Sequence, residues 1–133
     1  MYKLVVPKDV KELIRTMPAH FYSADHGSAM NKAYVAAFEK ANHFRPNFMS
    51  VGGYDGLAVV YEVAKKLNGK IDPDKAMEII KGMKIDSPRG PIQIDPVTRD
   101  VVQTVYVRKV EKKDGKLFNV EFDKFDNVRD PGT

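Results

Sequence analysis

The sequence predicts an α/β fold, on three observations. Apolar residues recur at helical spacing up to about residue 84, and strand-like alternation takes over beyond it. Two apparent strand-to-helix junctions lie in the first part, at Tyr22–Ser23–Ala24–Asp25–His26–Gly27 and at Gly52–Gly53–Tyr54–Asp55–Gly56. The chain divides accordingly into a helix-rich α/β segment over residues 1–84, a β-meander over 85–125 and a polar tail over 126–133.

Each element has its own reason. Residues 2–6 read as a short strand. From Lys8 to Met17, Val10, Leu13, Ile14 and Met17 fall at helical spacing until Pro18 stops the run. His20 to Ser23 reads as a strand end. Between about Ser28 and Asn42, Met30, Ala33, Tyr34, Ala37, Phe38 and Ala41 make one apolar face. Asn47–Phe48–Met49–Ser50–Val51 reads as a second strand, broken by Gly52–Gly53. Asp55 then suits the N-cap of a helix from Gly56 to Leu67, because its carboxylate can accept from free backbone N–H groups. Lys65 and Lys66 suit the negative end of that helix, and Asn68–Gly69 ends it. Asp72–Pro73–Asp74 opens a third helix with a cap, a proline at the first position and an acid in the first turn. Two successive strand–loop–helix units imply neighbouring parallel strands.

The second part reads as a meander. Pro91–Ile92–Gln93–Ile94 alternates, Asp95–Pro96 turns, and Val101 to Val110 is rich in β-formers. Asp114–Gly115 tolerates the positive φ angles of a tight hairpin, and Leu117, Val120 and Phe122 mark the returning strand.

Composition narrows the function. The chain has 133 residues, 43% of them hydrophobic and 30% charged, which suits a folded domain or a part of one. The net charge of +4 comes from 22 basic and 18 acidic residues with the signs interleaved, so a nucleic-acid partner is not expected. Cysteine is absent, which excludes disulfides and thiolate metal sites. The apolar stretch in Met1–Tyr2–Lys3–Leu4–Val5–Val6–Pro7 is too short for a signal peptide. A cytosolic chain would read this way, and so would an exported one that begins downstream of its signal.

The two junctions are the candidate site. Loops at the carboxyl ends of strands in open α/β sheets are where ligands bind. Each junction carries a tyrosine and an aspartate: Tyr22 with Asp25, and Tyr54 with Asp55. A tyrosine there offers a π face and a hydroxyl, and an aspartate can cap a helix or pair with an ammonium group. Gly52, Gly53 and Gly56 have neither nucleotide-binding glycine spacing nor a following Lys-Ser/Thr, so no nucleotide cofactor is expected. His20, Asp25, His26 and His43 lack metal-ligand spacing. Ser23 or Ser28 beside Asp25 and His26 resembles a hydrolytic triad only superficially, because residues so close in sequence rarely converge on one nucleophile. Neither a catalytic residue nor a metal is therefore expected, and a binding module is favoured over an enzyme. A metal-dependent hydrolase built on His20, Asp25 and His26 is the enzymatic alternative. Ser87–Pro88–Arg89–Gly90–Pro91 reads as a rigid turn carrying a cation, which either meets an anion or steers the chain into the meander.

Several segments together resemble a known family. Asn31–Lys32–Ala33–Tyr34–Val35–Ala36–Ala37–Phe38 is similar to the N-x-x-F-V-x-x-F/Y helix of type I periplasmic solute-binding proteins, which serve ABC importers and include the branched-chain amino acid binders. Tyr54–Asp55–Gly56–Leu57 resembles the family's Y-D-A/G passage. Lys81–Gly82–Met83 with Asp86–Ser87–Pro88–Arg89–Gly90–Pro91–Ile92 resembles its S-P-x-G-x-I passage. Gln103–Val105–Tyr106–Val107 and Asp114–Gly115–Lys116 match the closing hairpin.

The resemblance implies a partial two-lobed fold. The chain would be the C-terminal portion, with residues 1–84 in the first lobe, the meander in the second and a crossover near 84–90. It implies capture of a small organic solute, of amino acid or aromatic acid type, in the periplasm for the membrane subunits of an ABC importer. A ligand-sensing domain of a regulator or receptor is the alternative use of such a fold. Tyr54, Asp55 and Tyr22 are the ligand-binding residues it supports, with no cofactor. An incomplete parallel sheet would expose edges, so the isolated chain is expected to dimerise or swap elements.

Overall fold

The computed structural model describes residues 19–130. The strand read at 2–6 and the helix read from Lys8 to Met17 lie outside them. The order of elements is β1 (Ala19–His20), α1 (Ala29–Asn42), α2 (Phe48–Lys66), α3 (Pro73–Ile80), β2 (Lys84–Ile85), β3 (Ile92–Ile94), β4 (Val101–Lys113) and β5 (Lys116–Val128).

Helices α1 and α3 start where their caps dictate. The Ser28 hydroxyl accepts from the Asn31 N–H at 3.0 Å, and the Asp72 carboxylate accepts from the Lys75 N–H at 3.1 Å. The region between them departs from the sequence reading. Phe48–Met49–Ser50–Val51 is the first turn of α2, not a strand, and Gly52–Gly53 lies inside the helix. Asn47 is the cap: its side chain accepts from the Met49 and Ser50 N–H groups, while the Ser50 hydroxyl accepts from the Asn47 N–H. This reciprocal box fixes the start of a helix that holds three interior glycines, Gly52, Gly53 and Gly56, each about 1 kcal/mol worse than alanine. Asp55 is consequently a mid-helix residue, and its N-cap assignment is corrected.

The expected parallel pairing falls with the missing strand. Every strand pairing among the described residues is antiparallel. Long β4 organises the sheet. Its start pairs with β3 through Ile94↔Val101, its middle with β1 through His20↔Tyr106, and β5 runs along it from Lys113↔Lys116 to Gln103↔Val128. Asp114 and Gly115 both have positive φ, at 49° and 80°, as the tight turn requires. The returning strand extends to Val128, three residues into the stretch read as a tail.

One packed core results among the described residues. Met83, Ile85, Ile92 and Ile94 form a core with Ala58, Val59 and Val63 of α2 and Ile79 and Ile80 of α3. The other faces stay open: Leu57 is 59% and Tyr61 65% exposed on α2, and Ala33, Ala37 and Ala41 are exposed on α1. A helix apolar on more than one face suits the interior of a larger body.

The turn between β2 and β3 is tightly fitted. Gly90 has φ +98°, and a Cβ there would lie 2.8 Å from the Tyr106 hydroxyl, which itself donates to the Arg89 carbonyl at 2.8 Å. Gly90→Ala is expected to cost about 1–3 kcal/mol in urea unfolding, from backbone strain and the clash. Tyr106→Phe should then cost less in that background than in the wild type, because it relieves the contact.

Candidate functional site

A cleft of about 470 Å³ opens where β1, the start of α2 and the β4–β5 hairpin meet. Its wall includes His20, Tyr22, Arg45, Phe48, Arg108 and Phe118. Backbone register sets the arrangement. β1 pairs beside Tyr106 and Val107, which brings the bend after His20 next to Arg108, and Arg108 lies opposite Glu121 on β5.

The bend from Tyr22 to Gly27 is held by one buried side chain. Asn31 donates to the carbonyls of Ala24 and His26, at 3.1 and 2.8 Å, and accepts from the Tyr22 hydroxyl at 3.2 Å. That explains the asparagine in the Asn31–Phe38 motif: it clamps the loop ahead of its own helix. The Ser23 hydroxyl ties the same bend to β5 through the Asn119 carbonyl at 2.5 Å. Burial, and secondarily the neighbouring Tyr34, pushes the Tyr22 phenol well above the usual tyrosine range.

Arg108 is the cleft's most constrained cation. It is 6% exposed, and one of its terminal nitrogens donates to the Tyr22 carbonyl at 2.5 Å. Its Nε is buried with no hydrogen-bond partner, and no ion pair joins it to a carboxylate among the described residues. Burial lowers its pKa, with Glu121 acting in the opposite direction. Arg45, at the exposed side, lies over the Phe118 ring with 4.4 Å from guanidinium carbon to centroid. The His20 ring contacts those of Phe21 and Phe48, at 4.4 and 5.0 Å between ring centres, the second edge-on. Burial, then Arg108 and Arg89, lowers the His20 pKa.

The residues singled out from sequence fall in three places. Tyr22 lines the cleft. Tyr54 is 40% exposed on α2 with its ring 5.2 Å from that of Tyr34, and it is not among the residues lining the cleft. Asp55 is buried, where it accepts from Arg89 Nε at 2.7 Å. The cation in the 87–91 turn thus meets an anion of its own chain. Arg89 also donates to the Gln103 side chain and lies 4.6 Å from the centre of the Phe21 ring.

The hydrolytic constellation is not assembled. Asp25 pairs with Lys113 at 2.6 Å, His26 Nδ1 meets Glu121 at 2.7 Å, and Ser28 is the cap of α1. Among the described residues no group of three His, Asp or Glu side chains is placed to hold a metal ion.

The comparisons with known proteins fit this geometry. The sequence profile of the periplasmic binding proteins matches residues 7–116. The chain belongs to that family. It is 42% identical over 114 residues to Leu/Ile/Val-binding protein homolog 6 of Brucella abortus (strain 2308), covering 84% of this chain and 29% of that protein. Among solved structures, a solute binding protein of an ABC transporter from Rhodopseudomonas palustris BisB5, in complex with 3,4-dihydroxybenzoic acid, is 58% identical with a TM-score of 0.88. The match covers 90% of this chain and 33% of that one. A solute binding protein from Rhodopseudomonas palustris HaA2, in complex with p-hydroxybenzoic acid, is 42% identical with a TM-score of 0.80, over 87% of this chain and 32% of that one. The chain therefore spans about a third of the length of these relatives, and its fold is part of a type I periplasmic binding protein.

Sequence reading named Arg89 as a cation without finding its partner, and it missed Arg45 and Arg108. A signal for Arg108 existed: it shares a strand face with Tyr106 and Val110, both buried.

The Asp55–Arg89 pair yields a stability test, since both side chains are 7% exposed. Asp55→Leu or Arg89→Met alone should cost about 3–5 kcal/mol in urea unfolding, because each leaves a buried charge unmatched. The double variant should recover most of that loss.

Proposed function

We propose that the chain is the C-terminal portion of an extracytoplasmic solute-binding protein that captures a small organic acid for an ABC importer. Aromatic acids stand ahead of branched-chain amino acids as the solute. The observation that carries this is the 58%-identical relative in complex with 3,4-dihydroxybenzoic acid, matched at a TM-score of 0.88. In this reading the protein works in the periplasm, binds rather than transforms its solute, and hands it to membrane subunits. The ligand-sensing alternative draws on the same fold and on no separate feature of this chain.

Tyr22 contributes the inner wall of the cleft. Tyr54 and Asp55 belong to α2, whose outer face carries the exposed Tyr54, Leu57, Val60 and Tyr61. That face supports packing against the rest of the binder, with Tyr54 at the edge of the solute cavity and Asp55 fixing the helix through Arg89. For the 133-residue chain alone, the same apolar face supports self-association.

The test is calorimetry on the full-length protein, with 3,4-dihydroxybenzoate, 4-hydroxybenzoate, leucine, isoleucine and valine offered in turn. Micromolar or tighter binding of a benzoate, about −8 kcal/mol, with at least tenfold weaker binding of the amino acids is expected. Binding of the amino acids alone would reverse the assignment of the solute. Binding of neither class would remove it.

A further inference from the structure

A buried guanidinium with an unmatched N–H and no carboxylate partner is an expensive group to fold around. Among the described residues Arg108 is such a group, and it lines an open cleft rather than a sealed core. We propose that Arg108 is the buried partner of the solute's carboxylate, and that the cleft at the start of α2 is the carboxylate subsite. This rests on the reading of the protein as an organic-acid binder.

Four further features of the cleft favour an anion of this kind. Arg45 supplies a second positive charge at the open side. Asn47 and Phe48 bring the first turn of the 19-residue helix α2 to the wall, so the positive end of its dipole faces the same space. The walls beside these charges are rings: His20, Phe48 and Phe118. Finally, none of the described residues lining the cleft is an aspartate or a glutamate.

The last point separates two ligand classes. An amino acid brings an ammonium group along with its carboxylate, and that group needs an acceptor of negative charge nearby. Asp55, buried at the far side of Phe21's cation–π contact, already matches Arg89. Glu121 meets His26 through one oxygen at 2.7 Å, and its other oxygen, buried without a hydrogen-bond partner, is not part of the cleft lining. The cleft therefore suits an aromatic monocarboxylate without an ammonium group: two guanidinium groups and a helix terminus for the charge, and rings for the ring. Arg108 in this scheme does for the solute what Asp55 does for Arg89, in the opposite sense. It is a fixed charge waiting for its counter-ion.

The test compares 4-hydroxybenzoate with 4-hydroxybenzyl alcohol, which keeps the ring and replaces the carboxylate with a neutral hydroxymethyl group. Affinities are measured by calorimetry on the full-length protein and its variants. The wild type should prefer the acid. Arg108→Gln should cut the acid-over-alcohol preference about 10- to 100-fold, the range for a hydrogen bond to a charged group. Arg108→Lys, which keeps the charge but loses the planar fork, should cut it by an intermediate factor. Arg45→Gln alters an exposed residue, so the variant is expected to fold, and it should cut the preference about threefold. A loss of packing would weaken acid and alcohol together and leave their ratio alone. An unchanged ratio in the Arg108 variants would overturn the proposal and point to a carboxylate of the protein itself as the partner of Arg108, with the organic-acid reading intact. A wild type that binds no benzoate at all would overturn both.

Discussion

The buried guanidinium of Arg89 is the joint on which this chain depends. Its Nε is 2.7 Å from the Asp55 carboxylate of α2, another of its nitrogens reaches Gln103 of β4, and its plane lies over Phe21 next to β1. Its own carbonyl accepts from Tyr106 of β4. One side chain and one peptide group thus connect the helical layer to the strands. A charge in such a place is tolerated only when each partner is in position, so the arrangement is all-or-none. The neighbouring glycine serves the same joint, since only Gly90 lets the chain pass beneath the Tyr106 hydroxyl.

The cleft inherits its shape from that joint. Phe21 leans on Arg89 and continues into His20 and Phe48, which line the cleft. Asn31 holds the bend that follows, and β4 carries Arg108 at a register fixed by its pairing with β1 and β5. The two arginines therefore have contrasting states. Arg89 has a carboxylate of its own chain and acts as structure. Among the described residues Arg108 has a carbonyl as its partner, and its buried Nε has none. A binder needs both kinds: a satisfied charge to make the wall rigid, and an unsatisfied one for the ligand to satisfy.

Much of the fold was legible in the sequence wherever short-range chemistry decides it. Ser28 and Asp72 cap their helices as their side chains allow, and Asp114–Gly115 makes the hairpin its φ preferences favour. The error at residues 47–51 has a physical cause. Gly52–Gly53 reads as a breaker, but the Asn47–Ser50 box starts the helix ahead of the glycines and the core at Ala58, Val59 and Val63 holds it beyond them. Moving the helix start by eight residues turned Asp55 from a cap into an ion-pair partner. The site was less legible because its cations act over long separations. Asp55 and Arg89 are 34 residues apart, and Tyr22 and Arg108 are 86 apart. No local pattern announces such pairs. The alternation of Tyr106, Arg108 and Val110 was the one local hint, since it sets a charge on a buried face.

Native-state hydrogen exchange tests the role of Arg89 most directly. If one buried charge joins the helical layer to the sheet, Arg89→Met should lower the protection of α2 amides near Asp55 and of β4 amides from Gln103 to Tyr106 together, as one cooperative unit. Protection lost in α2 but unchanged in β4, or the reverse, would contradict the claim that Arg89 couples them.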